Sequence, residues 1–135
     1  MLCFKFNKLV RDNIVDRQIA TGALPHYHQL NDAQHKLALI HKIAEEAQEI
    51  MQAGLADVAD EIADVQQALD DLKQKFGLSD AAIAAAQTAK NNKNGPFQKG
   101  IFIDFVEVAD DDVWVAYYRK NADRYPEIDS GQKPQ

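Results

Sequence analysis

The sequence predicts an all-α fold: an antiparallel helical bundle with a small β-hairpin near its C-terminus. Two observations predict the bundle. Apolar residues recur at helical spacing over residues 31–53 and again over 56–76, and only a short link around Gly54 joins the two runs. A third predicts the hairpin: after Asn94-Gly95-Pro96 the chain turns to β-branched and aromatic residues. The length of 135 residues is that of one ordinary domain. The expectation is a single domain over 1–135, with the hairpin extension at about 100–120 and a flexible tail from about 130.

Each element follows from local chemistry. Arg11 to Ala20 fits a short helix, with Gly22 as its stop. Ala23 to Leu30 carries Pro25 and reads as an extended connection. Asn31 is an N-cap for a long helix to about Ala53, ended by Gly54, with Leu37, Ile40, Ala44, Ala47 and Met51 as its apolar stripe. A second long helix from about Ala56 to Phe76 carries Val58, Ile62, Val65, Leu69, Leu72 and Phe76 on one face, and Gly77 stops it. Ser79 caps an alanine-rich helix toward Lys90. Ile101–Val108 and Val113–Arg119 read as strands joined by a turn at Ala109-Asp110-Asp111-Asp112. An isolated hairpin is marginal, so this one is expected to dock on the helices or on another chain.

Composition narrows the function. Lys plus Arg number 15 against 21 Asp plus Glu, a net charge of −6, which disfavours binding to a nucleic acid polymer. Apolar residues make up 46%, enough for a core. Cys3 is the one cysteine, so no intrachain disulfide forms, which suits a reducing cytoplasm. No run of 18 apolar residues spans a membrane, and Lys5 and Lys8 interrupt the N-terminal apolar stretch that a signal peptide would need. A soluble cytoplasmic protein is expected.

The chemistry lies on the two long helices. The first carries Glu45, Glu46 and Glu49, as Glu-Glu-x-x-Glu; the second carries Glu61 and Asp64, as Glu-x-x-Asp. At ~100° per residue, Glu46 and Glu49 lie ~60° apart, as do Glu61 and Asp64, so each helix presents a pair on one face. Glu46 borders the apolar stripe, and packing two antiparallel stripes brings both pairs toward one groove. Four carboxylates there repel each other, and a hard divalent cation such as Mg²⁺ relieves that cost. An acidic stripe is ordinarily just a solvated face, and Asp57, Asp60, Asp70 and Asp71 extend the acidity of the second helix. By spacing alone Asp57 is placed as well as Asp64. Neither helix has a His three residues after these glutamates, unlike a di-iron carboxylate bundle.

The two acidic motifs together resemble the MazG-like all-α nucleoside triphosphate pyrophosphohydrolases. Asn7-Lys8-Leu9-Val10-Arg11-Asp12-Asn13-Ile14 is similar to the opening motif of a branch related to phosphoribosyl-ATP pyrophosphohydrolase. The segment Lys93-Asn94-Gly95-Pro96-Phe97-Gln98-Lys99-Gly100-Ile101-Phe102 is similar to that branch's closing motif. The resemblance implies Mg²⁺-dependent (or Mn²⁺-dependent) hydrolysis of a nucleoside triphosphate to monophosphate and pyrophosphate, in a house-cleaning role on non-canonical or excess nucleotides. It implies Glu46, Glu49, Glu61 and Asp64 as metal ligands, with catalysis carried by Glu45, Glu46 and Glu49, Glu45 orienting water or a second metal. Lys8, Arg11, Lys93 and Lys99 are the candidate cations for the triphosphate. It also implies a homodimer or larger homo-oligomer, because such bundles are completed across subunits. Asn94 and Gly100 stand where the branch has arginines, and Pro96 where it has glycine. The alternative expectation is therefore a catalytically weak cation- or nucleotide-binding sensor or interaction protein.

Other residues carry ordinary readings. His26 and His28 share a face of an extended stretch without a third ligand nearby in sequence, and His35 and His41 read as polar helix positions. Cys3 reads as a small apolar filler. Trp114, Tyr117 and Tyr118 read as packing residues, and Asp110 to Asp112 as a solvated turn.

Overall fold

The structure is a computed structural model and describes residues 1–129 and 131. Five α-helices are present among the described residues, in the order α1 (Ile14–Ala20), α2 (Asp32–Gln52), α3 (Val58–Lys75), α4 (Asp80–Asn94) and α5 (Val113–Lys120). No strand occurs among them. The chain divides into two compact units, Met1–Lys90 and Asn91–Gln135. The tail expected to be flexible falls almost wholly outside the described residues.

The helix boundaries have identifiable chemical causes. Asn31 and Gln34 form a reciprocal capping box at the start of α2: the Asn31 side chain accepts from the Gln34 amide at 2.9 Å, and the Gln34 side chain accepts from the Asn31 amide at 3.1 Å. At the end of α3, Gly77 adopts a left-handed φ of 66°. Its amide donates to the Gln74 carbonyl at 3.0 Å, and that of Leu78 to Lys73 at 2.9 Å, which satisfies two terminal carbonyls. Gly22 closes α1 in the same way. Ser79 Oγ accepts from the Ala82 amide at 3.1 Å and starts α4.

In the first unit α2 and α3 pack as an antiparallel hairpin. Asp32 at the start of α2 pairs with Lys75 at the end of α3 at 3.4 Å, and Lys36 lies 5.2 Å from the centre of the Phe76 ring. The register that sets Asp32 beside Lys75 sets Leu39 level with Ala68, the two buried apolar residues among those described. The packed face of α2 is not the expected stripe. Leu39 and Glu46 are buried on it, and Ile43 and Ile50 are half-buried. Leu37, Ile40, Ala44, Ala47 and Met51 are exposed. On α3, likewise, Ala68, Val65 and Leu72 turn inward while Ile62, Leu69 and Phe76 stay exposed. Glu46 therefore lies within the packed face rather than at its border.

The expected β-hairpin is corrected. Ile101–Val108 has no regular secondary structure and, among the described residues, no backbone–backbone hydrogen bond. The turn is present, with the Asp112 amide donating to the Ala109 carbonyl at 2.9 Å, but it leads into a helix. The Asp112 side chain accepts from the Trp114 amide at 2.8 Å and caps α5. Helical spacing then brings Trp114, Tyr117 and Tyr118 together: the Trp114 ring centre lies 5.7 Å from Tyr117 and 6.3 Å from Tyr118. Tyr125 joins Tyr118 at 5.2 Å, and Arg119 donates to both carboxylate oxygens of Glu127 at 3.0 Å. A strand would have sent Tyr117 to the face opposite Trp114 and Tyr118. No helix among the described residues is long and apolar enough to cross a membrane.

Candidate metal centre

Five carboxylates meet between α2 and α3. Glu45, Glu46 and Glu49 each place one oxygen within 4.8 Å of the others, and so do Glu46, Glu61 and Asp64. Glu46 belongs to both groups and is the hinge of the cluster. Its residue is only 4% exposed, so its ionisation state and partners matter most. One of its oxygens, Oε1, pairs with Lys42 Nζ at 2.7 Å. The other, Oε2, is buried with no hydrogen-bond partner, and Glu61 Oε2 is buried in the same condition. A buried carboxylate oxygen without a donor is costly, and a cation bound in this cluster would relieve that cost. Every donor is a carboxylate oxygen, the hard ligand set that suits Mg²⁺ or Mn²⁺. Glu49 and Glu61 also line a cleft of about 350 Å³ with Gln52, Ala53, Gly54 and Asp57, at the loop end of the hairpin.

The electrostatics agree with crowding. Desolvation, then repulsion and a shared hydrogen bond with Glu49, and then the Glu46 and Asp64 charges, hold the Glu61 carboxyl above the usual range. Glu45 behaves oppositely: desolvation pushes it up, but Lys42 and Lys8 outweigh this and hold it below the usual range. Lys42 Nζ and Lys8 Nζ both approach Glu45 Oε1, at 3.1 and 3.2 Å.

The N-terminal segment reaches the same cluster. Asn7 has a left-handed φ of 51°, a conformation that Asn tolerates better than most residues, and Lys8 follows it. Lys8 pairs with Glu45, and Arg11 forms an ion pair with Asp64. The hydrogen bond that Arg11 donates to Asp64, aided by the Asp64, Glu46 and Asp71 charges against a desolvation cost, raises the Arg11 guanidinium above its ordinary value.

The structure thus brings together Glu45, Glu46, Glu49, Glu61, Asp64, Lys8 and Arg11. Lys93, in the last turn of α4, and Lys99 belong to the second unit. Asp57, as well placed as Asp64 by spacing, lines the cleft but joins neither carboxylate group. Among the described residues no histidine joins a group of metal-ligating side chains, and Cys3 is exposed rather than filling a core. The sequence reading passed over Lys42. Its signal was available, because it stands three and four residues before Glu45 and Glu46 on a helix. No protein-family model matches the chain, and neither a curated protein nor a solved structure matches it.

Proposed function

We propose that this chain is a nucleoside triphosphate pyrophosphohydrolase that uses Mg²⁺ or Mn²⁺ and removes non-canonical or excess nucleotides in the cytoplasm. The observation that carries the reading is the pair of partnerless buried oxygens, Glu46 Oε2 and Glu61 Oε2, within a ring of carboxylates from two helices. Glu46, Glu49, Glu61 and Asp64 would hold the metal. When bound, it supplies polarisation of a phosphoryl oxygen and a water of lowered pKa. Glu45 stays ionised under the pull of Lys42 and Lys8 and is the group suited to orient the attacking water. Water adds to the α phosphorus, the bond from it to the bridging oxygen breaks, and pyrophosphate leaves with the charge. Lys8 and Arg11 are the cations proposed to meet that charge.

Incubation with Mg²⁺ and a panel of canonical and damaged nucleoside triphosphates tests the reading. Monophosphate and pyrophosphate are the expected products. Diphosphate with free phosphate, or no product from any substrate, sinks the hydrolase and leaves a cation- or nucleotide-binding protein in its place.

We further infer a homodimer or larger homo-oligomer. Among the described residues, Leu39 and Ala68 are the only buried apolar ones, a meagre core for a hairpin of this size. Leu37, Ile40 and Met51 of α2 remain 54%, 46% and 85% exposed, and Ile62, Leu69 and Phe76 of α3 remain 53%, 40% and 54% exposed. At ~100° per residue the α2 stripe lies roughly 115° round from its packed face and the α3 stripe roughly 70°. Because the helices run antiparallel, both stripes emerge on the side of the hairpin opposite the carboxylates. A second copy presents the same two stripes, so a two-fold axis there buries like against like and completes a four-helix bundle.

A further inference from the structure

We propose that the segment from Asn7 to Arg11 is a displaceable electrostatic strap: Lys8 and Arg11 neutralise the carboxylate cluster in the metal-free protein and are released from it when a divalent cation enters. The inference rests on the metal site proposed above.

Three side chains of the chain itself already serve as counter-ions to the five carboxylates: Lys42, Lys8 and Arg11. They differ in how they are held. Lys42 is 19% exposed and sits one turn from Glu45 and Glu46 on the same helix, so it has nowhere to go. Lys8 and Arg11 are 44% and 57% exposed. Among the described residues, residues 1–10 make no backbone–backbone hydrogen bond; the first such bond joins Ile14 to the Arg11 carbonyl, where α1 begins. At the carboxylates, side-chain pairs rather than a backbone ladder hold the strap, and exposed ion pairs are weak. Asn7, at φ 51°, marks the bend from which Lys8 is directed to Glu45.

The competition follows from charge. Arg11 bonds Asp64 Oδ1, and Asp64 shares a group with Glu46 and Glu61, whose Oε2 atoms have no donor. A divalent cation satisfying those oxygens lies close to the guanidinium and repels it, and it draws on the same Asp64 carboxylate. Release leaves two cations beside a cluster whose charge the metal has partly neutralised, where an incoming triphosphate gathers them up again. Cation and polyanion are thereby coupled: the first to arrive exposes the groups that hold the second.

Two measurements test the strap. The first is Mn²⁺ affinity by calorimetry, without nucleotide, for the wild type and Arg11→Gln. Removing an exposed competitor is expected to tighten Mn²⁺ binding about three- to tenfold. The second is limited trypsin digestion with and without Mg²⁺, read as cleavage after Lys8 relative to cleavage after Lys5. Mg²⁺ is expected to raise the relative rate at Lys8 threefold or more, since trypsin must take the freed ammonium into its pocket. If Mn²⁺ binds both proteins equally, or binds Arg11→Gln more weakly, the strap is overturned while the metal site stands. If binding tightens but cleavage after Lys8 does not accelerate, Arg11 only lowers the local potential and Lys8 does not let go, which also overturns the strap. If neither protein binds metal, the metal site and the strap fall together.

Discussion

Glu46→Gln separates the structural role of the carboxylate cluster from its proposed role as a cation site. The substitution keeps the volume and an oxygen to accept from Lys42, and removes one buried charge. Breaking a buried ion pair commonly costs ~3–5 kcal/mol, because the surviving charge is stranded. Here Lys42 keeps Glu45 at 3.1 Å, so it is not stranded. The variant also loses the repulsion of Glu46 against Glu61 and Asp64, whose oxygens lie within 4.8 Å. The two effects oppose each other, and the metal-free stability is expected to stay within about 1 kcal/mol of the wild type. The response to Mg²⁺ behaves differently. At a free concentration of about 100 times Kd, a site stabilises the native state by ~2.7 kcal/mol, which raises Tm by roughly 10 °C for a chain of this length. Loss of one ligand that weakens binding about a hundredfold leaves RT ln 2, or ~0.4 kcal/mol, and a shift of roughly 2 °C. Thermal melts followed by circular dichroism, with and without Mg²⁺, read both quantities. A wild type indifferent to Mg²⁺, or a Glu46→Gln variant with the full shift, would refute the argument that the orphaned oxygens await a cation.

Further outcomes follow from the same geometry. Glu49→Ala is expected to lower kcat at least ~100-fold in steady-state kinetics of pyrophosphate release. The Glu61 carboxyl titrates above the ordinary 4.5 of a glutamate, so its protonated form favours folding, and stability is lost as pH rises through the raised value. In metal-free buffer, Glu61→Gln should therefore melt higher than the wild type near pH ~7.5, and the two should converge below the ordinary value, where both side chains are neutral. Asn31→Ala removes the cap of α2 and should cost ~1 kcal/mol in urea unfolding. Ile40→Asp combined with Ile62→Asp should convert a dimer into a monomer in light scattering; a wild type already monomeric at micromolar concentration removes the basis for the two-fold bundle.

The helices were legible wherever a boundary has its own chemistry. Asn31 with Gln34, Ser79 before Ala82, and the left-handed glycines 22 and 77 each satisfy backbone groups that no distant residue supplies. The carboxylate spacing was legible for the same reason, since residues three apart on a helix share a face wherever the helix lies. The direction in which α2 faces was not. Its sequence holds two overlapping helical stripes, one through Leu37, Ile40 and Ala44 and another through Leu39, Ile43 and Glu46. Periodicity favours the more apolar stripe, while packing against α3, where Leu39 and Ala68 are buried, selects the other. Likewise Val113–Lys120 has the composition of a strand and the spacing of a helix. The Asp112 cap and the contacts of Trp114 with Tyr117 and Tyr118 decide between them, and both lie in plain view in the sequence.

The irregular stretch Ile101–Val108 bears on how the protein behaves in concentrated solution. It contains Ile101, Phe102, Ile103, Phe105, Val106 and Val108, all at least 37% exposed, and no proline. Its amides and carbonyls offer the pattern on which cross-β stacking is templated. Within it stand two acidic residues, Asp104 and Glu107, spaced so that identical segments laid in register would stack carboxylate on carboxylate. Acidification or dense salt is expected to weaken that repulsion, so fibre assembly, read by thioflavin fluorescence, is expected to rise under those conditions and not at neutral pH in dilute salt.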